Sequence, residues 1–229
     1  MDTPLHIAAS NNKFNFIREF LANEKLLTSS NKTPTVVNAL DAKGHTALFN
    51  AILNGHLKSV EALIFASSDD IDVTLADANG NTIYHICAET NNFEAMRFLL
   101  TRKDSKYERA LHVTNHNGEH VIHTACLYGN LEIVRLVLSR LDSPEAYLAG
   151  QNHQGLTAFH IACTKGHFSI VEFFLKDLKM NFFLDMLDAR QNTCLHLACM
   201  HNHLSLVSNI LYKKLIQFLK CVVFCLLFK

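Results

Sequence analysis

A short motif returns along this chain at nearly even intervals. Thr3-Pro4-Leu5-His6, followed by Ile7-Ala8-Ala9, is echoed at Thr46-Ala47-Leu48-Phe49, Thr82-Ile83-Tyr84-His85, His120-Val121-Ile122-His123, Thr157-Ala158-Phe159-His160 and Thr193-Cys194-Leu195-His196. First positions are separated by 43, 36, 38, 37 and 36 residues. A unit of that size cannot bury its own apolar face, so copies must stack and share a continuous core.

Other slots keep the same register. Nine residues after each first position stand Asn12, Gly55, Asn91, Gly129, Gly166 and Asn202. Only glycine and asparagine occur there, the two residues that best tolerate the left-handed backbone of a helix ending in a tight turn. Two residues on, Phe14, Leu57, Phe93, Leu131, Phe168 and Leu204 begin an apolar stripe. Ile17, Val60, Met96, Val134, Val171 and Val207 continue it three residues later, and Phe20, Leu63, Leu99, Val137, Phe174 and Ile210 lie one turn beyond. This spacing places one side of a second helix against a core. Asp41…Gly44, Asp77…Gly80, Asn115…Gly118, Asn152…Gly155 and a degraded Asp188…Gln191 precede five of the units. An Asx residue three before a glycine is turn chemistry.

These motifs resemble the ankyrin repeat, whose signature is T-P-L-H-x-A on a period near 33. The resemblance implies an all-α ankyrin-repeat solenoid of about six helix-turn-helix units with short fingertip hairpin turns. The units span about 1–40, 41–76, 77–114, 115–151, 152–187 and 188–212, making a repeat domain of 1–212 with an apolar tail, 213–229. Each interval exceeds the family period, and the excess falls between a second helix and the next fingertip. Segments such as Leu178–Leu187 are too apolar for solvated loops, so longer second helices and packed connectors are expected. Thr28 to Pro34, rich in Ser, Thr and Asn, reads as a loop. Neither end carries a polar cap, which suggests part of a longer array or ends protected by something else.

Composition bounds the function. With 49% apolar and 18% charged residues the chain can bury a large core. Lys+Arg and Asp+Glu number 21 each and the basic residues are scattered, which argues against a nucleic-acid partner. Seven cysteines, an odd number, behind a start (Met1-Asp2-Thr3-Pro4) without signal-peptide character favour a reduced, cytoplasmic setting.

Fourteen histidines invite a metal centre, and His116, His120 and His123 cluster, as do His201, His203 and Cys199. Most histidines, however, already have places in the repeat. His6, His85, His123, His160 and His196 fill the motif's fourth position, where the ring is expected to brace the turn through backbone hydrogen bonds. His56, His167 and His203 follow the Gly/Asn turn. Cys87, Cys126, Cys163 and Cys199 occupy slots held elsewhere by alanine, as small hydrophobes would. Residues 150–157 imitate a phosphate loop in glycine spacing but place Leu156 where lysine is required. H-E-x-x-H, G-x-S-x-G and G-x-G-x-x-G are absent from the sequence. No enzyme, cofactor or metal is expected.

The resemblance implies protein binding across fingertips and the concave face of the first helices. Carried over position by position, the fingertip residues are Lys43, His45, Asn79, Asn81, Asn117, Glu119, Gln154, Leu156, Arg190 and Asn192. The helix positions, seven and eight after the first slot, include Leu53, Glu89, Leu127, Tyr128, Thr164, Lys165, Met200 and His201. Residues 115–166 are the expected centre. The leading reading is a non-enzymatic scaffold for another protein. An alternative is the cytosolic ankyrin portion of a larger membrane protein such as an ion channel. The tail has an apolar run of only eight residues, Cys221 to Phe228, against the roughly twenty a spanning helix needs. It reads first as a helix over the end of the stack, second as a membrane-surface anchor.

Overall fold

The computed structural model describes residues 2–27, 36–67, 70–141, 143–178 and 180–227, and side chains among these except at 25–27 and beyond 216. The expected loop at 28–34 lies outside the described residues. Described residues form α-helices with short 3-10 and π turns, and no strand occurs among them. The chain divides into two compact units, Met1–Thr124 and Ala125–Lys229.

In the first unit the paired helices are α1 (Pro4–Ser10) with α2 (Phe14–Leu27), α3 (Ala47–Leu53) with α4 (Leu57–Ala66), and α5 (Ile83–Glu89) with α6 (Phe93–Leu100). A connector helix, α7 (Ser105–His112), follows, and α8 (Val121–Tyr128) begins. First helices stack on first helices, α1 on α3 and α3 on α5, and second helices on second, α2 on α4 and α4 on α6. The second unit contains α9 (Leu131–Leu138), a connector helix α10 (Pro144–Ala149), α11 (Ala158–Lys165) with α12 (Phe168–Glu172), and α13 (Cys194–Met200) with α14 (Leu204–Leu227). There α11 packs on α13, and α12 on both α9 and α14.

Local chemistry sets each first helix. Thr3, Thr82, Thr157 and Thr193 are extended N-caps, and the histidine three residues on closes a capping box. Each first helix lasts about two turns and ends in a left-handed residue. Asn12, Gly55, Asn91, Gly129, Gly166 and Asn202 all have positive φ, between 53° and 78°. The chain reverses there and starts the second helix, whose stripe residues Ile17, Val60, Met96, Val134 and Val171 are fully buried. Val207, half-buried, is the exception.

Among the described residues much of the excess chain is packed, but not by lengthening every second helix. The helices α4, α6 and α9 have only 10, 8 and 8 residues. Extra chain folds instead into α7, capped by Asp104, and α10, opened by Pro144. Their side chains Tyr107, Ala110, Leu111, Tyr147 and Leu148 are buried. Beyond α12 the backbone passes through a π-helical stretch, Phe173–Asp177, and a 3-10 turn, Asn181–Leu184, burying Phe174, Met180, Phe183 and Leu184. The residues set apart as a tail continue α14 without a break to Leu227.

Candidate functional site

Each fingertip is organised by its Asx side chain. Asp41 Oδ1 accepts from the backbone N–H of Lys43 (2.8 Å) and His45 (2.9 Å), and Asp77 Oδ1 from Asn79 and Asn81, both at 2.8 Å. Asn115 holds Asn117 and Glu119 in the same way, both at 3.0 Å. In the second unit Asn152 holds Gln154 and Leu156, and Asp188 holds Arg190 and Asn192. Desolvation opposes ionisation of Asp41 and Asp188, yet these hydrogen bonds prevail and hold both carboxyls below the usual range. Neighbouring tips touch: His116 N–H donates to the Asn79 carbonyl (2.9 Å), and Ala189 N–H to that of Gln154 (3.1 Å).

His6 and His85 tie first helices to the next fingertip, and His160 ties α11 to the connector just before the fingertip that follows it. The Thr82 N–H donates to His85 Nδ1 (3.1 Å), leaving Nε2–H to donate to the Glu119 carbonyl (2.9 Å). His6 reaches the His45 carbonyl (2.9 Å) and His160 that of Met186 (3.1 Å). Burial holds His85 and His160 below their ordinary pKa, as neutral rings. His196 makes only the local half of this arrangement, to Thr193, and is exposed. A second histidine series ties back to the preceding helix. His56 reaches the Ser10 carbonyl (3.0 Å), His167 that of Leu127 (3.1 Å) and His203 that of Thr164 (2.9 Å). Asn92 fills the same slot and donates to the Ile52 carbonyl (3.0 Å).

These bonds leave a defined set of side chains over. In the first unit Lys43, Asn79 and Asn117 are exposed at the tips. His45, Asn81 and Glu119 are half-buried and engaged in the turns: His45 Nδ1 meets Asn50 (3.2 Å), while Asn115 Nδ2 donates to both Asn81 (3.1 Å) and Glu119 (3.0 Å). On the helix ends Leu53 is 42% exposed and Glu89 half-buried. In the second unit Gln154, Lys165, Arg190 and His201 are exposed, with Tyr128 at 47% and Met200 at 66%. Leu127, Leu156, Thr164 and Asn192 are half-buried.

Buried cysteines have no access to this surface. Cys87, Cys126 and Cys163 are fully buried, and desolvation pushes their thiols up. Cys199, expected in the core, is exposed, because no helix covers that side of α13 among the described residues. Among the described residues no three His, Cys, Asp or Glu side chains converge as a metal site would require. No described helix is long and apolar enough to cross a membrane.

A family model described as ankyrin repeats (3 copies) matches over residues 1–77, 70–146 and 144–218. The chain is an ankyrin-repeat protein. Its fold class is accordingly the all-α repeat solenoid, and ankyrin repeats generally serve as protein–protein interaction modules.

One feature of this ankyrin chain has no mark in the four-residue repeat motif. An open apolar groove of about 730 Å³ lies beside α1 and the start of α2, lined by Pro4, Ile7, Ala8, Phe14 and Phe16 among others. Ile7 is 55% exposed, whereas Ile86, Ile161 and Leu197 in the same slot are buried. A preceding first helix covers that slot for Ile86 and Leu197. The signal available was the recurrence of an apolar residue four after the first position.

Proposed function

We propose that this protein is a non-enzymatic, cytoplasmic scaffold that binds another protein through its fingertips and the exposed ends of its first helices. The first unit contributes Lys43, His45, Leu53, Asn79, Asn81, Glu89, Asn117 and Glu119. The second contributes Leu127, Tyr128, Gln154, Leu156, Thr164, Lys165, Arg190 and Met200. The observation that carries the reading is the exposure of Leu53, Tyr128 and Met200, at the ends of three first helices whose other apolar residues are largely buried. Large apolar and aromatic side chains with a polar rim are how binding patches are built. Buried, unpaired thiols such as those of Cys87 and Cys126 fit a reducing compartment.

The test is affinity capture with the wild-type chain, with Leu53→Ala, with Tyr128→Ala/Met200→Ala, and with outer-face controls Arg97→Ala and Glu132→Ala. Melting temperatures are matched first. A specific partner should be lost with the first-helix variants and retained with the controls. Loss with the controls alone would place binding on the second helices and contradict the reading.

A further inference from the structure

The charges of the second unit are segregated. Among its described residues, Glu132 stands on α9, Glu145 on α10 and Glu172 on α12, while Asp177 and Asp185 lie in the connector after α12. Asp177 pairs with Arg135 (3.1 Å), Asp185 with Lys214 (2.8 Å), and Glu172 with Lys176. Among the described residues the one carboxylate on the fingertip side, Asp188, is buried and accepts from Arg190 N–H, Asn192 N–H and Asn192 Nδ2. Lys165 and Arg190 are exposed on that side, and neither meets a carboxylate among the described residues. The polar side chains around them, Thr164, Gln154, Gln191, Asn192, His153 and His201, bring no negative charge.

The repeat bonds align these groups. His167 at the Leu127 carbonyl and His203 at the Thr164 carbonyl bring the ends of α8, α11 and α13 side by side. Tyr128, Lys165 and His201 therefore form one row, with Leu127, Thr164 and Met200 in the row beside it. Arg190 sits on the fingertip joined to Gln154 through Ala189. An aromatic ring and an exposed thioether flank a lysine whose charge meets no carboxylate among the described residues.

We infer that the fingertip and first-helix face of the second unit binds an acidic peptide segment carrying apolar side chains, its carboxylates meeting Lys165 and Arg190 and its apolar groups meeting Tyr128 and Met200 on either side of Lys165. This rests on the binding function proposed above and names its partner class. Unpaired surface cations attract opposite charge and set partner choice. A nucleic acid is disfavoured, because tight phosphate binding draws on several cations and this face has two among the described residues.

The experiment selects random twelve-residue displayed peptides on the full-length chain and measures the selected peptides by fluorescence anisotropy. Selected sequences should be rich in Asp and Glu and contain a large apolar residue. Lys165→Glu/Arg190→Glu should weaken them about tenfold or more, while Arg97→Glu on the outer face of α6 changes affinity less than about twofold. Circular dichroism shows whether the variants fold. Selected peptides without acidic character, or peptides whose binding survives the charge reversal in a folded variant, overturn the inference and leave the binding function standing. Tighter binding of a twenty-nucleotide single-stranded DNA than of any selected peptide also overturns it. Selection of no peptide at all counts against both.

Discussion

Gly129 and Gly166 answer two demands at once. Each has φ of +78°, and a Cβ added to either would lie 2.6 Å and 2.5 Å from the imidazoles of His167 and His203. Those rings cannot swing away without losing their bonds to Leu127 and Thr164. Gly129→Val or Gly166→Val should therefore cost about 1–3 kcal/mol, read by urea denaturation. An unchanged midpoint in both would mean the bend is placed wrongly. Gln191 shows the complementary case. It has φ of +63° where the other fingertips have glycine, and a Cβ on Gly155 would meet the backbone of Ala189 at 2.4 Å. No further fingertip packs on Gln191 among the described residues, so its side chain is strained without being obstructed. Gln191→Gly should stabilise by roughly 0.5–1 kcal/mol, and a loss of stability would contradict this. These positions were legible because only special residues fit a left-handed backbone. The histidine bonds were legible only in part: a bracing role follows from the motif, but the carbonyl acceptor lies 34 residues away for His85 and 26 for His160.

The same histidines give a pH dependence. Burial lowers the native pKa of His85 and His160 below the ordinary value near 6.5. The unfolded chain then binds more protons than the native one below that value. Stability should be level above about pH 6.5 and fall as pH drops from there towards the native pKa. Asp41 and Asp188, lowered in the fold, add a further loss in stronger acid. Thermal unfolding between pH 7.5 and 5.5 checks this, and a melting temperature that rises on acidification would contradict it.

Among elements, the connectors distinguish this chain from a bare alternation of paired helices. Phe183 in the 3-10 turn stacks on Phe159 of α11 (ring centroids 5.5 Å apart) and lies 6.2 Å from Phe174 in the π-helical stretch. It is completely buried, whereas the adjacent Phe182 is 46% exposed. Phe183→Ala should cost about 3–5 kcal/mol and Phe182→Ala far less, by equilibrium denaturation. Equal effects would show that the connector is not part of the core. That Leu178 to Leu187 would pack was readable from its apolar character. Its form was not, since short apolar runs do not distinguish helix, π turn and 3-10 turn. The connector helices α7 and α10 were not anticipated, although Asp104, which caps α7, and Pro144, which opens α10, are ordinary helix-start residues.

For the whole molecule, a net charge of zero conceals local order. Basic residues look scattered along the sequence because those on the fingertip side of the second unit alternate with those paired on its second helices and connectors. The division into two compact units was likewise invisible, since the motif runs across residue 124 with only its first position altered, to His120. What the slot register gives directly is the bend of each unit, six positions with positive φ; the proposed contact surface is the set of fingertip and first-helix side chains left over once the repeat has made its own bonds. Amide hydrogen exchange of the full chain, with and without a peptide selected on it, tests that claim most directly. Protection should concentrate at the ends of the first helices and at the fingertips, including residues 126–129, 163–166 and 189–192. Protection confined to α9, α12 and the connector beyond it would contradict the account.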